Sequence, residues 1–169
     1  MRFSSFRSTS LVLIAVLAAG ACTDSSPTIT SSISAGPVLV ECPTSETRSV
    51  SGTLGILGGN LELDGHVLAL PLGAVLVPTE FTMTVPASRF VEVHVTANGA
   101  HGFEFLETST FTISYQRCTR SDLDRADLTV YKIDPETKAL LKDMGGSTNA
   151  LLRTVTFSTD SLSAYSIAQ

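Results

Sequence analysis

Three cysteines are the residues of this 169-residue chain whose spacing most directly implies chemistry. Cys22 follows an apolar run and two small residues near the start of the chain. Cys42 and Cys118 lie further on, where apolar and polar residues alternate. In an oxidising compartment one odd thiol would be left over if all three stayed free to pair. Acylation of Cys22 would leave Cys42 and Cys118 as a matched pair. We therefore predict lipidation at Cys22 and a disulfide between Cys42 and Cys118.

The first 21 residues have the composition of a secretory signal peptide. Arg2 and Arg7 precede an apolar run over residues 11–19, and small residues stand just before Cys22. The run is shorter than the roughly 20 residues that a membrane-spanning helix needs, so we expect this segment to be cleaved off. The end of the segment is similar to the lipobox of bacterial lipoproteins, although Ala19 stands where leucine is usual. A lipid anchor in the bacterial cell envelope is predicted, and plain cleavage followed by secretion is the alternative.

The three histidines, His66, His94 and His101, raise the question of a metal site. None has a second His, Cys or Asp at a short ligand spacing on the same face of a predicted strand. His94 alternates with valines and is therefore expected to point outward. We predict that all three are surface or rim histidines and that the protein binds no metal.

Asp122, Asp124 and Asp127 place three carboxylates within six positions, as calcium loops do. The segment lacks the central glycine and the terminal glutamate of an EF-hand, so a solvated turn is the preferred interpretation.

The glycines at 52, 55, 58 and 59 lack the Gly-Lys-Ser/Thr sequence of a phosphate loop. They are expected to serve bulges and turns of an edge strand.

Evidence for catalysis is weak in this sequence. Glu104 and Glu107 could form a glycosidase pair only if their spatial separation allowed it, and no Gly-x-Ser-x-Gly elbow marks a serine hydrolase. The remaining alternative is a site assembled from scattered residues such as Glu104, His94 and Asp124. We predict no enzyme and no cofactor.

The elements that must position these residues are short strands. Residues 22–37 are rich in Ser and Thr and contain two prolines, which predicts a flexible tether. From residue 38 to 169 apolar residues alternate with polar ones between Gly, Pro, Asn and Asp turns, which predicts one all-β domain, a β-sandwich of short antiparallel strands. The predicted strands cover residues 51–57, 61–70 with a hairpin at Asp64-Gly65, 81–85, 91–95, 111–115, 128–133, 155–157 and 164–167. Asn98-Gly99 is expected to form another reversal of the chain. One short helical turn, capped by Ser121, is expected at residues 121–125.

The charge balance argues against nucleic acid as a partner. Removal of the signal segment takes away two of the 11 basic residues, which leaves nine against 16 acidic residues and a net charge of −7. Phosphate backbones are bound by concentrated Lys and Arg, and here the basic residues are scattered.

Several short motifs between residues 52 and 168 resemble the ZU-five domain of zonula-occludens proteins, netrin receptors and ankyrins. The motifs are the Gly-Gly start and hairpin at 58–70, Pro71-Leu-Gly-Ala74, the Thr-rich strand at 79–85, Gly102-Phe-Glu-Phe105, Leu128-Thr-Val-Tyr131 and the closing Ser161-Leu-Ser-Ala-Tyr165. The resemblance implies a β-sandwich that acts by contact with protein partners. Some relatives cleave their own chain at the closing motif, where a histidine assists the serine nucleophile. Here Ser161 replaces that histidine, so Ser163 has no adjacent base and we expect no self-cleavage.

Together these observations favour a non-enzymatic lipoprotein that binds another envelope protein or contributes to an assembly. The alternative is a secreted carbohydrate or cell-wall binding module, for which aromatic platforms are expected. The chain has no Trp and three Tyr, which weakens that alternative.

Overall fold

The computed structural model describes residues 36–169, so the predicted signal peptide, Cys22 and nearly all of the predicted tether lie outside the described residues. The described part contains thirteen strands and one 3-10 helix. In chain order these are β1 (Glu41–Thr44), β2 (Arg48–Leu54), β3 (Gly59–Leu63), β4 (His66–Leu70), β5 (Thr79–Val85), β6 (Ser88–Phe90), β7 (Glu92–Ala97), β8 (Glu104–Ser114), the 3-10 helix (Ser121–Arg125), β9 (Thr129–Ile133), β10 (Leu140–Gly145), β11 (Ser147–Asn149), β12 (Thr154–Ser161) and β13 (Ala164–Ala168).

Two antiparallel sheets form a β-sandwich, which confirms the predicted fold class. One sheet has six strands in the order β10-β9-β13-β7-β5-β2, and the other has five in the order β11-β12-β8-β4-β3. The chain passes from one sheet to the other six times, and two of these connections, β2 to β3 and β10 to β11, join edge strands. A separate pair, β1 and β6, completes the domain.

The core lies between the sheets and follows the alternation seen in the sequence. Phe81, Met83 and the valines of β7 are fully buried from the six-stranded sheet. Phe111 of β8 meets Tyr165 of β13 edge to face, with ring centroids 5.6 Å apart, so aromatic packing joins the two sheets. The inward faces predicted for these strands are confirmed.

The tight turns also form where the sequence places them. Asp64 and Gly65 have φ values of 52° and 80°, and Asn98 and Gly99 have φ values of 50° and 77°. These left-handed pairs suit two-residue hairpin turns, whose twist matches that of the flanking strands. The reversals predicted at both pairs are confirmed.

Cys42 of β1 and Cys118, after β8, form the predicted disulfide, with their Cα atoms 5.3 Å apart. The bond fastens the short β1–β6 pair to the end of the longest strand.

One capping prediction is wrong. The residue that precedes the first turn of the 3-10 helix is Arg120, and no side chain caps the helix, so Ser121 lies inside it. Strands β1, β6, β10 and β11 were not among the predicted strands. All four are short or irregular edge elements whose residues show little alternation.

Candidate interaction surface

A cluster of exposed aliphatic side chains lies at one end of the sandwich. It comes from the loop between β2 and β3, the loop between β4 and β5, and the start of β8. Its members, which we call the apolar patch, are Ile56, Leu57, Leu72, Leu76, Val77 and Leu106, and each exposes more than half of its surface. Leu57 is the most exposed, at 82%. Exposed aliphatic side chains that gather at one place on a fold are typical of contact sites on proteins.

Backbone hydrogen bonds hold the three segments of the patch together. The Gly73 N–H donates to the Ile56 carbonyl at 2.8 Å, which joins the two loops. The Leu106 N–H donates to the Ala74 carbonyl at 3.0 Å, which joins β8 to the longer loop. Ala74 and Val75 are buried and anchor that loop in the core, so the neighbouring Leu76 and Val77 are held outward. The patch is therefore a fixed surface of the fold.

Gly58 makes the close approach of the two loops possible. Its φ is +71°, and a Cβ at this position would overlap the carbonyl oxygens of Leu70 and Pro71. Only glycine combines this backbone conformation with so little space. The glycine-rich segment thus serves turns and edge strands, as the sequence predicts.

The surroundings of the patch are acidic. Residues 49–116 contain six carboxylates and a single basic side chain other than histidine, Arg89. Glu80, Glu104 and Glu107 are exposed near the ends of the strands that carry the patch, and the Glu107 side chain lies beside Gly73. A partner with basic side chains around an apolar contact would suit this surface.

Sequence reasoning did not identify the patch itself. The signal was present in the sequence, because Ile-Leu stands between glycines at 55–58 and Leu-Val stands before Pro78. Large aliphatic residues at turn positions cannot all reach the core, since turns lie at the surface.

The prediction of surface or rim histidines is wrong for His66. His66 is 1% exposed, and its Nδ1 accepts a hydrogen bond from the Ser114 backbone N–H at 3.2 Å. Burial, reinforced by the positive charge of Arg117 and opposed by Asp64, lowers the pKa of His66 to about 4. The imidazole is therefore neutral at physiological pH.

His94 lies on the face of β7 opposite the buried Val93 and Val95, as predicted, although little of its side chain is exposed. Its side chain is 18% exposed, and its Nε2 lies 3.9 Å from Oε2 of the buried Glu92. The Glu92 Oε1 atom accepts a hydrogen bond from Lys138 Nζ at 2.8 Å. Burial would raise the pKa of Glu92, but the neighbouring His94, Lys138 and Ser88 side chains and the Lys138 charge outweigh it and lower that pKa to about 2. This group is a buried ion pair next to a histidine.

Two of the three acidic residues that were considered for calcium binding are paired with arginines. Arg120 pairs with Asp122, and Arg153 Nε pairs with Asp124 at 2.8 Å. Across residues 36–169, no group of three or more His, Cys, Asp or Glu side chains is arranged as metal ligands.

The scattered residues considered for catalysis do not meet. Glu104 is exposed on β8, His94 adjoins Glu92, and Asp124 is paired with Arg153. No hydrogen bond or ion pair of the described chain joins any two of these three.

The closing motif is held by Tyr165. Its hydroxyl donates to the Ser161 carbonyl and lies 3.0 Å from the Thr159 hydroxyl oxygen. Ser163 is 7% exposed, and its carbonyl accepts from the Val95 N–H at 3.0 Å. Within the described chain, no hydrogen bond links the Ser163 hydroxyl to a histidine.

No model of a known protein family matches this sequence, and a search of curated proteins finds no match. Among the helices of the described part, none has the length and apolar character needed to cross a membrane.

Proposed function

We propose that this protein is a non-enzymatic lipoprotein of the bacterial cell envelope that binds another envelope protein through the apolar patch. The single observation that carries the proposal is the exposed aliphatic cluster at one end of the sandwich. Six large side chains held in water by a fixed backbone are unfavourable unless a partner covers them. The resemblance to ZU-five domains, which act by protein contact, supports the same function.

The partner should carry apolar side chains surrounded by Lys or Arg. Glu80, Glu104 and Glu107 lie near the patch, and Arg89 is the one Lys or Arg between residues 49 and 116. A cationic rim on the partner would speed association and orient it, whereas an acidic one would be repelled. The same charge distribution disfavours the anionic headgroups of a membrane as the surface that covers the patch.

The anchor and the tether complete the proposal. Acylated Cys22 would hold the protein at a membrane, and about 15 residues of Ser/Thr-rich tether would give a reach on the order of 20 Å. A lipid anchor and a specific protein contact together localise a protein more strongly than either does alone, because the first raises the effective concentration for the second.

Site-specific photocrosslinking in intact cells tests this function. A photoreactive residue at Leu72 should yield one defined crosslinked protein, and the same residue at Leu151, which is 92% exposed and lies outside the patch, should not. The paired substitution Leu57→Ser and Leu76→Ser should abolish that crosslink while leaving the melting temperature unchanged. Equal crosslinking from Leu72 and Leu151, or an unchanged crosslink in the paired variant, would contradict the proposed contact.

The anchor is tested separately with Cys22→Ala. The wild type should fractionate with membranes and incorporate a labelled fatty acid, and the variant should do neither. If both forms were soluble and unlabelled, the protein would be secreted, and arrays of glycans and cell-wall fragments would be the next probes.

A further inference from the structure

A polar cavity lies at the opposite end of the sandwich from the apolar patch. Its volume is about 330 Å³, and the lining side chains that matter here are Arg48, Asp64, His66, Gln116 and Arg117. Strand β2 starts at Arg48 beside the cavity and ends at Leu54 next to the patch. Seven residues of strand span roughly 20 Å, so the two features are separate sites.

His66 supplies a buried hydrogen-bond donor to this cavity. Its Nδ1 accepts from the Ser114 N–H, and in the neutral ring the hydrogen must then reside on Nε2. Nε2 has no hydrogen-bond partner among the described residues, and His66 is one of the residues that line the cavity. The Asp64-Gly65 turn and the first position of β4 fix the ring, so this donor is oriented before any ligand arrives.

Arg117 brings a positive charge to the same cavity, and the charges of Asp64 and Glu92 act on it from beyond ion-pair distance. Its Nη2 donates to the carbonyls of Phe90 at 3.0 Å and Cys42 at 3.4 Å. No carboxylate of the described residues forms an ion pair with it, although Arg48, Arg89, Arg120 and Arg153 each have one. The adjacent Cys118 is fixed by the disulfide and two carbonyls hold Nη2, and none of the other guanidinium N–H groups donates to a described residue.

The remaining charges of the cavity cancel. Arg48 Nη1 lies 2.6 Å from Asp64 Oδ1, and this pair is neutral as a unit. Gln116 Nε2 donates to the Leu152 carbonyl at 2.9 Å, which leaves the Gln116 carbonyl oxygen as a further acceptor. The cavity therefore has one net positive charge, the remaining N–H donors of Arg117 and the N–H of His66. A metal cation would meet two guanidinium groups and is excluded by repulsion.

The geometry points to a binding site for an anionic oxygen group, a carboxylate or a phosphate on a small molecule, held between Arg117 and the Nε2–H of His66. Guanidinium binds both groups through paired charge-assisted hydrogen bonds. The cavity volume is at the lower end of the range that holds small molecules, so a small organic molecule that carries such a group has room in it. This site is independent of the proposed protein contact and would stand if that contact were wrong.

Titration of the ¹⁵N-labelled mature domain by NMR tests the site. The probes are inorganic phosphate and succinate, each compared with chloride at equal ionic strength. We expect saturable shifts at the Ser114, Gln116 and Arg117 amides and at His66 Nε2, with a rise in melting temperature. Saturation by phosphate alone assigns a phosphate group, saturation by succinate alone a carboxylate, and saturation by both a general oxyanion site.

Two variants and one control decide whether these residues bind the probe. Arg117→Gln should weaken binding about tenfold, the loss expected for one charge-assisted pair. His66→Asn keeps an acceptor for the Ser114 N–H and should weaken binding without unfolding the domain. Arg125→Gln removes an equal charge from an exposed arginine outside the cavity and should bind as the wild type does. Shifts that never saturate, or equal affinities in all four proteins, would overturn the inference.

Discussion

Lys138 Nζ lies 2.8 Å from Glu92 Oε1, and the Glu92 side chain is 1% exposed while that of Lys138 is 27% exposed. The pair joins the turn before β10 to the start of β7. Removing one member of a buried ion pair leaves the other charge unpaired in the protein interior, where it is poorly solvated. We expect Lys138→Met to lower the free energy of unfolding by roughly 2–4 kcal/mol, less than for a fully buried pair because the lysine reaches solvent. Lys142→Met, at an exposed lysine of β10 that forms no ion pair with a described residue, should change the free energy of unfolding little. Chemical denaturation of the three proteins gives the comparison.

The same carboxylate predicts a loss of stability in acid. The pKa of Glu92 is about 2 in the folded protein against 4.5 for the unperturbed group. A lowered folded pKa contributes stability that is complete above pH 4.5 and is lost as the pH falls towards 2. Glu92→Gln should therefore flatten the stability profile in that window. A wild-type profile that is already flat between pH 4.5 and 2 would contradict the low pKa.

His66 governs a second, higher window. Its pKa is about 4 in the folded protein against 6.5 for the unperturbed imidazole, so the unfolded chain binds the proton first. The stability held by the neutral ring is complete above pH 6.5 and is lost as the pH falls to about 4, by roughly 3 kcal/mol in total. The melting temperature of the wild type, measured in buffers whose only anion is chloride, should fall as the pH is lowered from 6.5 to 4. The melting temperature of His66→Asn should lack this fall. Direct observation of His66 titrating near pH 6.5 by NMR would refute the burial argument.

Much of the fold could be predicted from the sequence because the two-residue period of a strand is a local property. The alternation at Phe81, Met83 and Val85 assigned their buried face correctly, and the glycines of Asp64-Gly65 and Asn98-Gly99 marked their turns. The disulfide followed from counting thiols and from the predicted compartment. Each of these inferences needed only neighbouring residues or simple chemistry.

The candidate sites could not be predicted in the same way, because each one depends on non-local packing. His66 sits in a strand whose alternation is compatible with either face, and its burial depends on Ser114, 48 residues away. The apolar patch forms only because two loops and β8 come together in the folded protein. The buried Glu92 carboxylate is tolerated because Lys138, in the turn between β9 and β10, forms an ion pair with it. The order of the strands in the two sheets decides these contacts. The alternation of apolar and polar residues along the sequence carries no information about that order.

The Cys42–Cys118 disulfide should carry a large share of the stability of the domain. Its half-cystines are 76 positions apart in the sequence. A loop of that length corresponds to about 4 to 4.5 kcal/mol in the chain-entropy model. The double substitution Cys42→Ala and Cys118→Ala should lower the free energy of unfolding by this order without changing the sheet content by circular dichroism. Thiol labelling of the unreduced, denatured wild type should modify neither cysteine, and labelling of both would show that the bond does not form.

Gly58→Ala and Gly99→Ala separate the cost of backbone conformation from the cost of lost space. Both glycines have positive φ, at +71° and +77°, but a Cβ at Gly58 would overlap the Leu70 carbonyl oxygen whereas nothing lies within 4 Å of one at Gly99. Gly99→Ala should cost roughly 1–2 kcal/mol, the penalty of a left-handed alanine. Gly58→Ala should cost clearly more, because the β2–β3 loop must move away from the β4–β5 loop. The same variant should weaken the photocrosslink from Leu72, since it displaces the two loops that form the patch. Equal destabilisation by the two substitutions would mean that the loops yield without cost, and the patch could not then be a fixed surface.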